Sequence, residues 1–434
     1  MTHHGFLVGT SAHNMHVQSM VRALYEADAL AAYVAGGVDV VHGRVGRYLR
    51  TAVSRLAPSL DRSLAKRAVR EVPSGLVEAR WRWEAPRLVA NRLGAIRFED
   101  RLWERGELDL DSYCARRLGA EDVTGYVGVE HGALTSLRTA RACGKTAIVA
   151  FLSPHAATRA RWVDIEWIRD PELRRRGQTA IDRLSARRDA RRQKEAETAD
   201  WIVSNSSFTT RSLVDAGLPP SRILTVPLGG PAPFDAGLLP AMPARRLRVV
   251  YAGAVSVHKG VHYLLRSWRR VADHGAELHL YGSVLLPTAV IDEARRSANG
   301  DRIVVHGPVP AAELNRAYRG ASLVVLPSLC DGFGMVILEA LANGVPVVTT
   351  TNAGGADAIE QGVSGFVIPP ADEDALAKAL TWCAEHPADL LAMRREALRR
   401  AEQWTWAAFR ARFRSTLGTA LGWAAVPGDT RAVG

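Results

Sequence analysis

The stretch Ser322–Thr350, SLVVLPSLCDGFGMVILEALANGVPVVTT, decides the fold of this chain of 434 residues. It opens with an apolar run that predicts a buried strand, Ser322–Pro327, and it closes with a second one, Val345–Thr350. Between them, a loop with two glycines leads into a helical pattern over Met335–Asn343. Short apolar strands that alternate with helices are typical of a parallel sheet covered on both faces. This stretch therefore predicts a βαβ unit of an α/β fold.

The same alternation extends along much of the chain. In the second half it predicts further strands at Leu247–Ala252, Glu277–Tyr281, Arg302–His306 and Gly365–Ile368. In the first half the candidate strands are Phe6–Val8, Tyr126–Gly128, Ala147–Ala150 and Trp201–Val203. The Arg- and Trp-rich stretch from Gly43 to Asp111 shows no clear strand and is predicted to be helical.

A segment low in charge and rich in Gly and Pro, GGPAPFDAGLLPAMP, separates the two arrays and predicts an interdomain linker. We therefore expect a first domain over residues 1–228, a linker over 229–243 and a second domain over 244–403. A last helix is expected over 404–425, followed by a tail over 426–434.

The loop Asp331–Met335 has the composition of a phosphate-binding turn. Its glycines allow a ligand to approach the backbone closely, and a helix start offers N–H groups to an anion. Glu339 lies in the second turn of the predicted helix, where a buried carboxylate needs a hydrogen-bonding partner. A ribose diol would supply one, as in dinucleotide sites. The alternative is a tight strand-to-helix turn in which Glu339 is paired with another side chain.

Positive charge is concentrated in two segments of the first half. Residues 44–70 carry a net charge of +7 and residues 169–194 carry +6, against +11 for the whole chain. Such segments are either solvated helix faces or surfaces for an anionic membrane or acceptor. No helix-turn-helix, zinc-finger or RNP pattern accompanies them, which argues against specific nucleic-acid binding.

Four scattered cysteines, at positions 114, 143, 330 and 383, form no CxxC or Cys/His cluster and predict no zinc site or disulfide framework. The first residues lack the pattern of a signal peptide, and no run of about 18 apolar residues predicts a membrane-spanning helix. We therefore expect a protein of the cytoplasm, with possible peripheral contact at the inner face of the membrane.

The order of several motifs resembles glycosyltransferase family 4, the retaining group 1 glycosyl transferases. The spacing Asp331-x7-Glu339 resembles the E-x7-E motif of that family. Other segments follow in the family's order: YAGAVSVHKGVHYLLRSW (251–268), LYGS (280–283), VVHGPVP (304–310) and TNAGGADAIEQGVSGFVIPP (351–370). Residues 195–230 resemble the end of the family's first domain, and WTWAAF resembles its final helix. The resemblance is strong over about 195–415 and weak before that.

The resemblance implies a GT-B fold, in which two Rossmann-like doubly wound domains face each other across a cleft and a C-terminal helix crosses back to the first domain. It also implies a retaining, metal-independent hexosyltransferase. Such an enzyme moves a sugar from a UDP- or GDP-linked donor to a saccharide, lipid-linked or small-molecule acceptor, without a further cofactor. Two alternatives stay open: a nucleotide-sugar epimerase of the same form, and a catalytically weak protein that binds nucleotide-sugars or glycans.

The resemblance also assigns residues to the two sides of the cleft. Lys259 would hold the donor diphosphate, Glu339 the ribose, and Asp331 the donor sugar, which His155 would reach from the first domain. The donor-binding positions are Gly253, Ser256, Gly282, His306, Gly307, Gly332, Phe333, Gly334, Met335 and Glu339. The acceptor-side candidates are His13, Asn14 and His16, in the loop after the first strand.

Three positions depart from the family pattern. Ala254 stands where the family often has a second cation, and the first acid of the motif is Asp331 instead of Glu. Residues 9–13, GTSAH, replace the usual Gly-Gly loop. Asp109 and Asp111 match the DxD metal motif of the other glycosyltransferase fold, but Asp111 is predicted to begin a helix, so we expect no metal site.

Overall fold

The computed structural model describes residues 5–12, 14–38, 67–69, 72–173, 178–239, 246–271, 275–297 and 300–423. Within them the strands form two sheets, one from each half of the chain, and every pairing in both sheets is parallel. Among the described residues, α-helices connect most of the successive strands within each sheet, as is usual for parallel pairing.

The first sheet has seven strands among the described residues, in the order β3-β2-β1-β4-β5-β6-β7. They are β1 Phe6–Thr10, β2 Leu30–Gly36, β3 Val77–Arg80, β4 Gly125–Val129, β5 Thr146–Phe151, β6 Trp201–Ser204 and β7 Ile223–Thr225. All residues of β1 and β4 are buried, which fits central strands covered on both faces. The order reverses between β1 and β4, and ligands bind at such a switch point in doubly wound sheets.

The second sheet has six strands among the described residues, in the order β10-β9-β8-β11-β12-β13. They are β8 Arg248–Ala252, β9 Glu277–Tyr281, β10 Ile303–Gly307, β11 Leu323–Leu326, β12 Val347–Thr350 and β13 Gly365–Ile368. Its switch point lies between β8 and β11, so the loop after β11 leaves the sheet where a ligand is expected.

Helices cover the sheets on both faces. In the first half they are α1 Met15–Glu26, α2 Glu84–Arg92, α3 Ile96–Arg117, α4 Leu134–Ala142, α5 Ala156–Arg159, α6 Glu166–Arg169, α7 Gln178–Thr198 and α8 Ser207–Asp215. In the second half they are α9 Val261–Trp268, α10 Thr288–Arg295, α11 Ala311–Arg319, α12 Val336–Ala342, α13 Glu373–Glu385, α14 Pro387–Gln403 and α15 Trp406–Leu421. No helix of the described residues is both long and apolar enough to cross a bilayer.

The last helix, α15, returns to the first half of the chain and packs on α1. Thr405 caps it by accepting a hydrogen bond from the backbone N–H of Ala408 at 3.2 Å. The ring of Phe409 lies edge-on to His16 of α1, with centroids 5.3 Å apart, and Arg410 forms an ion pair with Glu26. The predicted GT-B architecture, with its helix crossing back to the first domain, is confirmed.

The sequence analysis missed parts of the first sheet. Strand β3 lies inside the stretch from Gly43 to Asp111 that was predicted to be helical, and it pairs with β2 from Tyr33↔Val77 to Gly36↔Arg80. The prediction that Asp111 begins a helix is also wrong, because it lies well inside α3. The basic segment 44–70 falls almost entirely outside the described residues. The boundaries 228, 243 and 403 stay predictions.

Candidate functional site

A cavity of about 910 Å³ lies between the two sheets. The first half of the chain lines it with Asn14, Met15, His16, Leu152, Asn205 and Leu228, and the second half with Lys259, Asp331, Phe333, Gly334, Met335 and Glu339, among others. Because these residues follow the carboxyl ends of strands in both sheets, the cavity occupies the position where doubly wound folds bind ligands. Its volume is within the range of small-molecule and cofactor sites.

Lys259 and Asp331 form an ion pair at one wall of the cavity. Both side chains are largely but not fully buried. Lys259 is placed by a turn before α9, where its backbone N–H lies 3.4 Å from the Ser256 hydroxyl. Gly260 follows with φ of +67°, and a Cβ there would lie 1.9 Å from the Pro327 carbonyl oxygen. Only glycine lets this turn sit directly against β11, which brings Lys259 to Asp331.

The loop Asp331–Met335 is held between the two halves of the chain. Its Gly332 carbonyl accepts hydrogen bonds from the hydroxyls of Ser206 at 2.7 Å and Thr209 at 3.2 Å. A Cβ on Gly332 would lie 1.9 Å from the backbone oxygen of Leu152. The second glycine of the loop has φ of +79°. The glycines of the loop therefore allow it to pack closely against the first half of the chain, and the predicted approach of a ligand stays a prediction.

Glu339 lines the cavity from α12, and its carboxylate has a hydrogen-bonding partner on α11. The hydroxyl of Tyr318, from α11, donates to its Oε2 at 3.2 Å. Burial raises the pKa of Glu339, and the Tyr318 hydrogen bond offsets part of that rise. The carboxylate is thus poised to gain from further donors, such as ribose hydroxyls.

Other predicted donor-binding residues lie at the ends of β8, β9 and β10, outside the set that lines the cavity. Gly253 and Gly282 pack so closely that a Cβ on Gly282 would lie 2.0 Å from the Gly253 oxygen. The Gly307 oxygen accepts from the Gly282 backbone N–H at 2.8 Å. His306 stacks on Tyr281 at 4.2 Å between centroids. These residues form one edge beside the cavity.

His155 does not line the cavity. It caps the short helix α5, since its Nδ1 accepts from the Ala157 backbone N–H at 3.1 Å. Its Nε2 lies 2.7 Å from the Gln193 side-chain oxygen and therefore donates to it. The structure thus engages both ring nitrogens within the first half of the chain, which the resemblance did not predict.

Two of the three acceptor-side candidates line the cavity, and His13 lies outside the described residues. Asn14 caps α1 by accepting from the Val17 backbone N–H at 3.0 Å. His16 is buried, which lowers the pKa of its imidazole to about 4 and keeps the ring neutral. Both lie opposite the loop after β11.

Several cavity residues were missed by the sequence analysis. One of them is Arg319, which lines the cavity as Lys259 does and adds a second positive charge. Its guanidinium donates a hydrogen bond to Asn343 Oδ1 at 3.0 Å. Its guanidinium also lies 4.4 Å from the centroid of the Phe234 ring. Phe234 comes from the predicted linker, where a lone aromatic in a Gly/Pro-rich stretch was the available signal.

The DxD pair serves structural roles. Asp111 is fully buried, and its carboxylate accepts from the backbone N–H groups of Thr135 and Ser136, both at 2.8 Å, while pairing with Arg191 at 2.6 Å. Asp109 lies near Arg80 at 3.5 Å. Within the part of the chain that the structure describes, no group of three or more His, Cys, Asp or Glu side chains is placed to hold a metal ion.

Further hydrogen bonds join the two halves of the chain at residues that do not line the cavity. Glu166 of α6 is buried and accepts hydrogen bonds from Tyr263 at 3.0 Å and from His262, whose Nε2 lies 3.1 Å away. Burial alone would raise the pKa of Glu166, but these two hydrogen bonds outweigh it and lower the pKa. Asp357 accepts from the backbone N–H of Ser207 at 2.8 Å. These contacts hold the two halves of the chain together outside the set of residues that lines the cavity.

Comparison with known proteins places the second half of the chain in a family. Residues 246–386 match the family model Glycosyl transferases group 1. This part of the chain is a group 1 glycosyl transferase domain. Within it lie Lys259, Asp331 and Glu339, so the predicted family motif falls inside the matched region.

Curated relatives of the group 1 domain include D-inositol 3-phosphate glycosyltransferases. The protein of that name from Thermobispora bispora is 28% identical over 244 residues, which cover 52% of this chain and 57% of the relative. D-inositol 3-phosphate glycosyltransferase 1 from Catenulispora acidiphila is 30% identical over 229 residues, which cover 48% of this chain and 54% of that relative. The chain thus spans just over half the length of these relatives.

Solved structures resemble the chain as a whole in fold. Anabaena HepE in complex with UDP has a TM-score of 0.59 at 16% identity and covers 95% of this chain and 99% of its own. Sucrose-phosphate synthase from Thermosynechococcus elongatus has a TM-score of 0.60 at 16% identity, and the match covers 96% of this chain and 99% of that one. The group 1 domain and the first domain therefore form together the two-domain GT-B fold.

Proposed function

We propose that the protein is a retaining glycosyltransferase that moves a sugar from a UDP- or GDP-linked donor to a saccharide, lipid-linked or small-molecule acceptor. The observation that carries this proposal is the cavity in which Lys259, Asp331 and Glu339 converge beside the loop Asp331–Met335. The cation would bind the diphosphate of the donor, the glycine-containing loop its sugar, and the carboxylate its ribose. The relatives named as glycosyltransferases and the neighbour bound to UDP support the same assignment.

Lys259 would act on the leaving group. Negative charge grows on the diphosphate as its bond to the sugar breaks, so an ammonium at that point stabilises the transition state more than the ground state. Its partner Asp331 fixes the ammonium beside the cavity before the donor arrives. Ala254 supplies no second cation, and the other cation of the lining, Arg319, is hydrogen-bonded to Asn343, so we assign the main electrostatic role to Lys259.

We propose that transfer needs neither a protein nucleophile nor a metal ion. The acceptor hydroxyl would attack on the face that the diphosphate leaves, and a phosphate oxygen would take its proton. The new glycosidic bond then keeps the configuration of the donor. Asp331 would contact the donor sugar without bonding to it covalently.

The function is tested by incubating the protein with a panel of NDP-sugars and measuring free nucleotide, with and without EDTA. We expect release from a UDP- or GDP-sugar that EDTA leaves unchanged and that rises with acceptor. NMR of the product should show the donor's anomeric configuration. An inverted product would refute the mechanism, and an epimerised sugar-nucleotide without release would favour the epimerase.

Glu339 predicts a pH dependence of donor binding. Ribose hydroxyls donate to the ionised carboxylate, whose pKa is raised by burial, so lowering the pH through that pKa protonates Glu339 and weakens binding. We expect the donor KM to rise as the pH is lowered, and the rise should begin above the pH at which an exposed glutamate is protonated. Glu339→Gln should raise KM roughly 10-fold or more at about pH 8 and flatten the profile.

The matched control is the exposed Glu402, whose change to Gln should leave both KM and its pH profile as in the wild type. A Glu339→Gln variant with the wild-type KM would remove this residue from the ribose site. A persistent pH slope in that variant would assign the titration to another group.

The acceptor side stays a proposal drawn from the first domain. Asn14 and His16 line the cavity opposite Asp331, and we propose that they face the acceptor. For His155 to contact the donor sugar, its ring must leave Gln193 when the donor binds. A donor-dependent change in the His155 NMR signals would support that role, and unchanged signals would restrict this residue to capping α5.

A further inference from the structure

A helical hairpin of the first half exposes apolar side chains at its turn. Helix α2 leads through Leu93, Gly94 and Ala95 into α3. Leu93 is 77% exposed, Val89 59% and Phe98 54%. Single exposed apolar residues are normal on a protein surface, but a group of three at one turn indicates an interaction surface.

The exposed residues follow the helical repeat. Val89 and Leu93 are one turn apart at the end of α2, so they lie on one face. On α3 the exposed residues Phe98, Arg101, Arg105 and Leu108 recur every three or four positions and define a second face. We call the surface formed by Val89, Arg92, Leu93, Phe98 and Arg101 the hairpin tip.

The charge of the hairpin tip is positive because the hairpin's acids are engaged elsewhere. Glu84 pairs with Arg67 at 2.7 Å and with Arg87 at 2.6 Å, and Arg87 also pairs with Glu99. Asp100 and Glu104 both pair with Arg188 of α7. No ion pair among the described residues engages Arg92 or Arg101, which are exposed.

We infer that the hairpin tip docks on an anionic lipid bilayer. Leucine, valine and phenylalanine bury their side chains at the boundary of headgroups and acyl chains, while neighbouring arginines bind the lipid phosphates. The charge complementarity favours lipid over an apolar protein partner, which would leave two arginines without counter-charge. This inference goes beyond the proposed function and does not depend on which donor the cavity binds.

The test is co-sedimentation with vesicles of phosphatidylglycerol or of phosphatidylcholine. We expect binding to the anionic vesicles that weakens at high salt. Leu93→Gln/Phe98→Gln and Arg92→Gln/Arg101→Gln should each weaken binding on the order of tenfold or more, since each arginine contributes about fivefold. The control Ile168→Gln/Leu391→Gln replaces exposed apolar residues elsewhere and should bind as the wild type.

Each outcome decides the inference. Equal binding by wild type and both hairpin variants, or no binding by the wild type, overturns it. A lower melting temperature in the hairpin variants, without a change in vesicle binding, would show that the tip is covered by another part of the chain or a second copy. Nucleotide release from a donor with a water-soluble acceptor should stay unchanged in the hairpin variants, which separates this inference from the proposed function.

Discussion

Lys259→Ala is expected to lower kcat roughly 10²- to 10³-fold, the range found when one donor to a developing negative charge is removed. The ammonium would act on charge that appears only as the diphosphate leaves, so kcat should fall more than KM rises. Removal also leaves Asp331 largely buried without its cation, which adds to the loss. The measurement is nucleotide release with saturating donor and acceptor.

Lys378→Ala is the matched control, because Lys378 is exposed on α13 far along the chain from the loop after β11. Its kcat should equal that of the wild type. If Lys259→Ala keeps a wild-type kcat, the leaving-group assignment fails. The protein then becomes a candidate for a nucleotide-sugar binding module in which the site has lost its catalytic role.

The second large effect is expected from Gly332→Ala, which adds one methyl group where the two domains meet. That Cβ would lie 1.9 Å from the Leu152 oxygen and 2.9 Å from its carbonyl carbon, so backbone must move. Either the loop or the domain contact then shifts Asp331 and Lys259 relative to the first domain. A misplacement of about 1 Å can cost about 10² in rate, so we expect a loss of that order in kcat/KM.

Thermal unfolding of Gly332→Ala should also move to a lower temperature, since overpacking costs about 1–3 kcal/mol. Gly75→Ala is the matched control, because a Cβ there would meet no atom within 4 Å. Wild-type activity in Gly332→Ala would show that the close approach of the loop to Leu152 does not matter for the reaction. Equal losses in both variants would point to a general effect of replacing glycine.

The sequence predicted those parts of the fold whose signal is local. The loop after β11 was found because an apolar strand, two glycines and a helix follow one another directly. Strand β2, LAAYVAG, was missed because alanine and glycine do not favour strands, and only burial between β1 and β3 makes it one. Strand β3 is a short edge strand, VEAR, with charged residues and no periodic pattern to reveal it.

In the candidate site, too, the residues with a local sequence motif were predicted and the others were not. Lys259, Asp331 and Glu339 belong to motifs with fixed spacing, and the structure brings all three to one cavity. Phe234 and Arg319 could not be predicted, because they meet only through the path of the chain. The Phe234 backbone N–H donates to the Ala342 oxygen at 2.6 Å and thereby seats the linker on the end of α12.

The chain passes between the domains twice, and the two passages are joined. The Gly230 backbone N–H donates to the Trp404 oxygen at 2.6 Å, and Gly230 pairs with Thr405 in a parallel bridge. A Cβ on Gly229 would lie 2.5 Å from the Thr405 oxygen, so the backbones of the two passages are in direct contact. Because the two passages are hydrogen-bonded to each other, any movement of one domain relative to the other must carry both passages together. A side chain at Gly229 would therefore displace both passages at once.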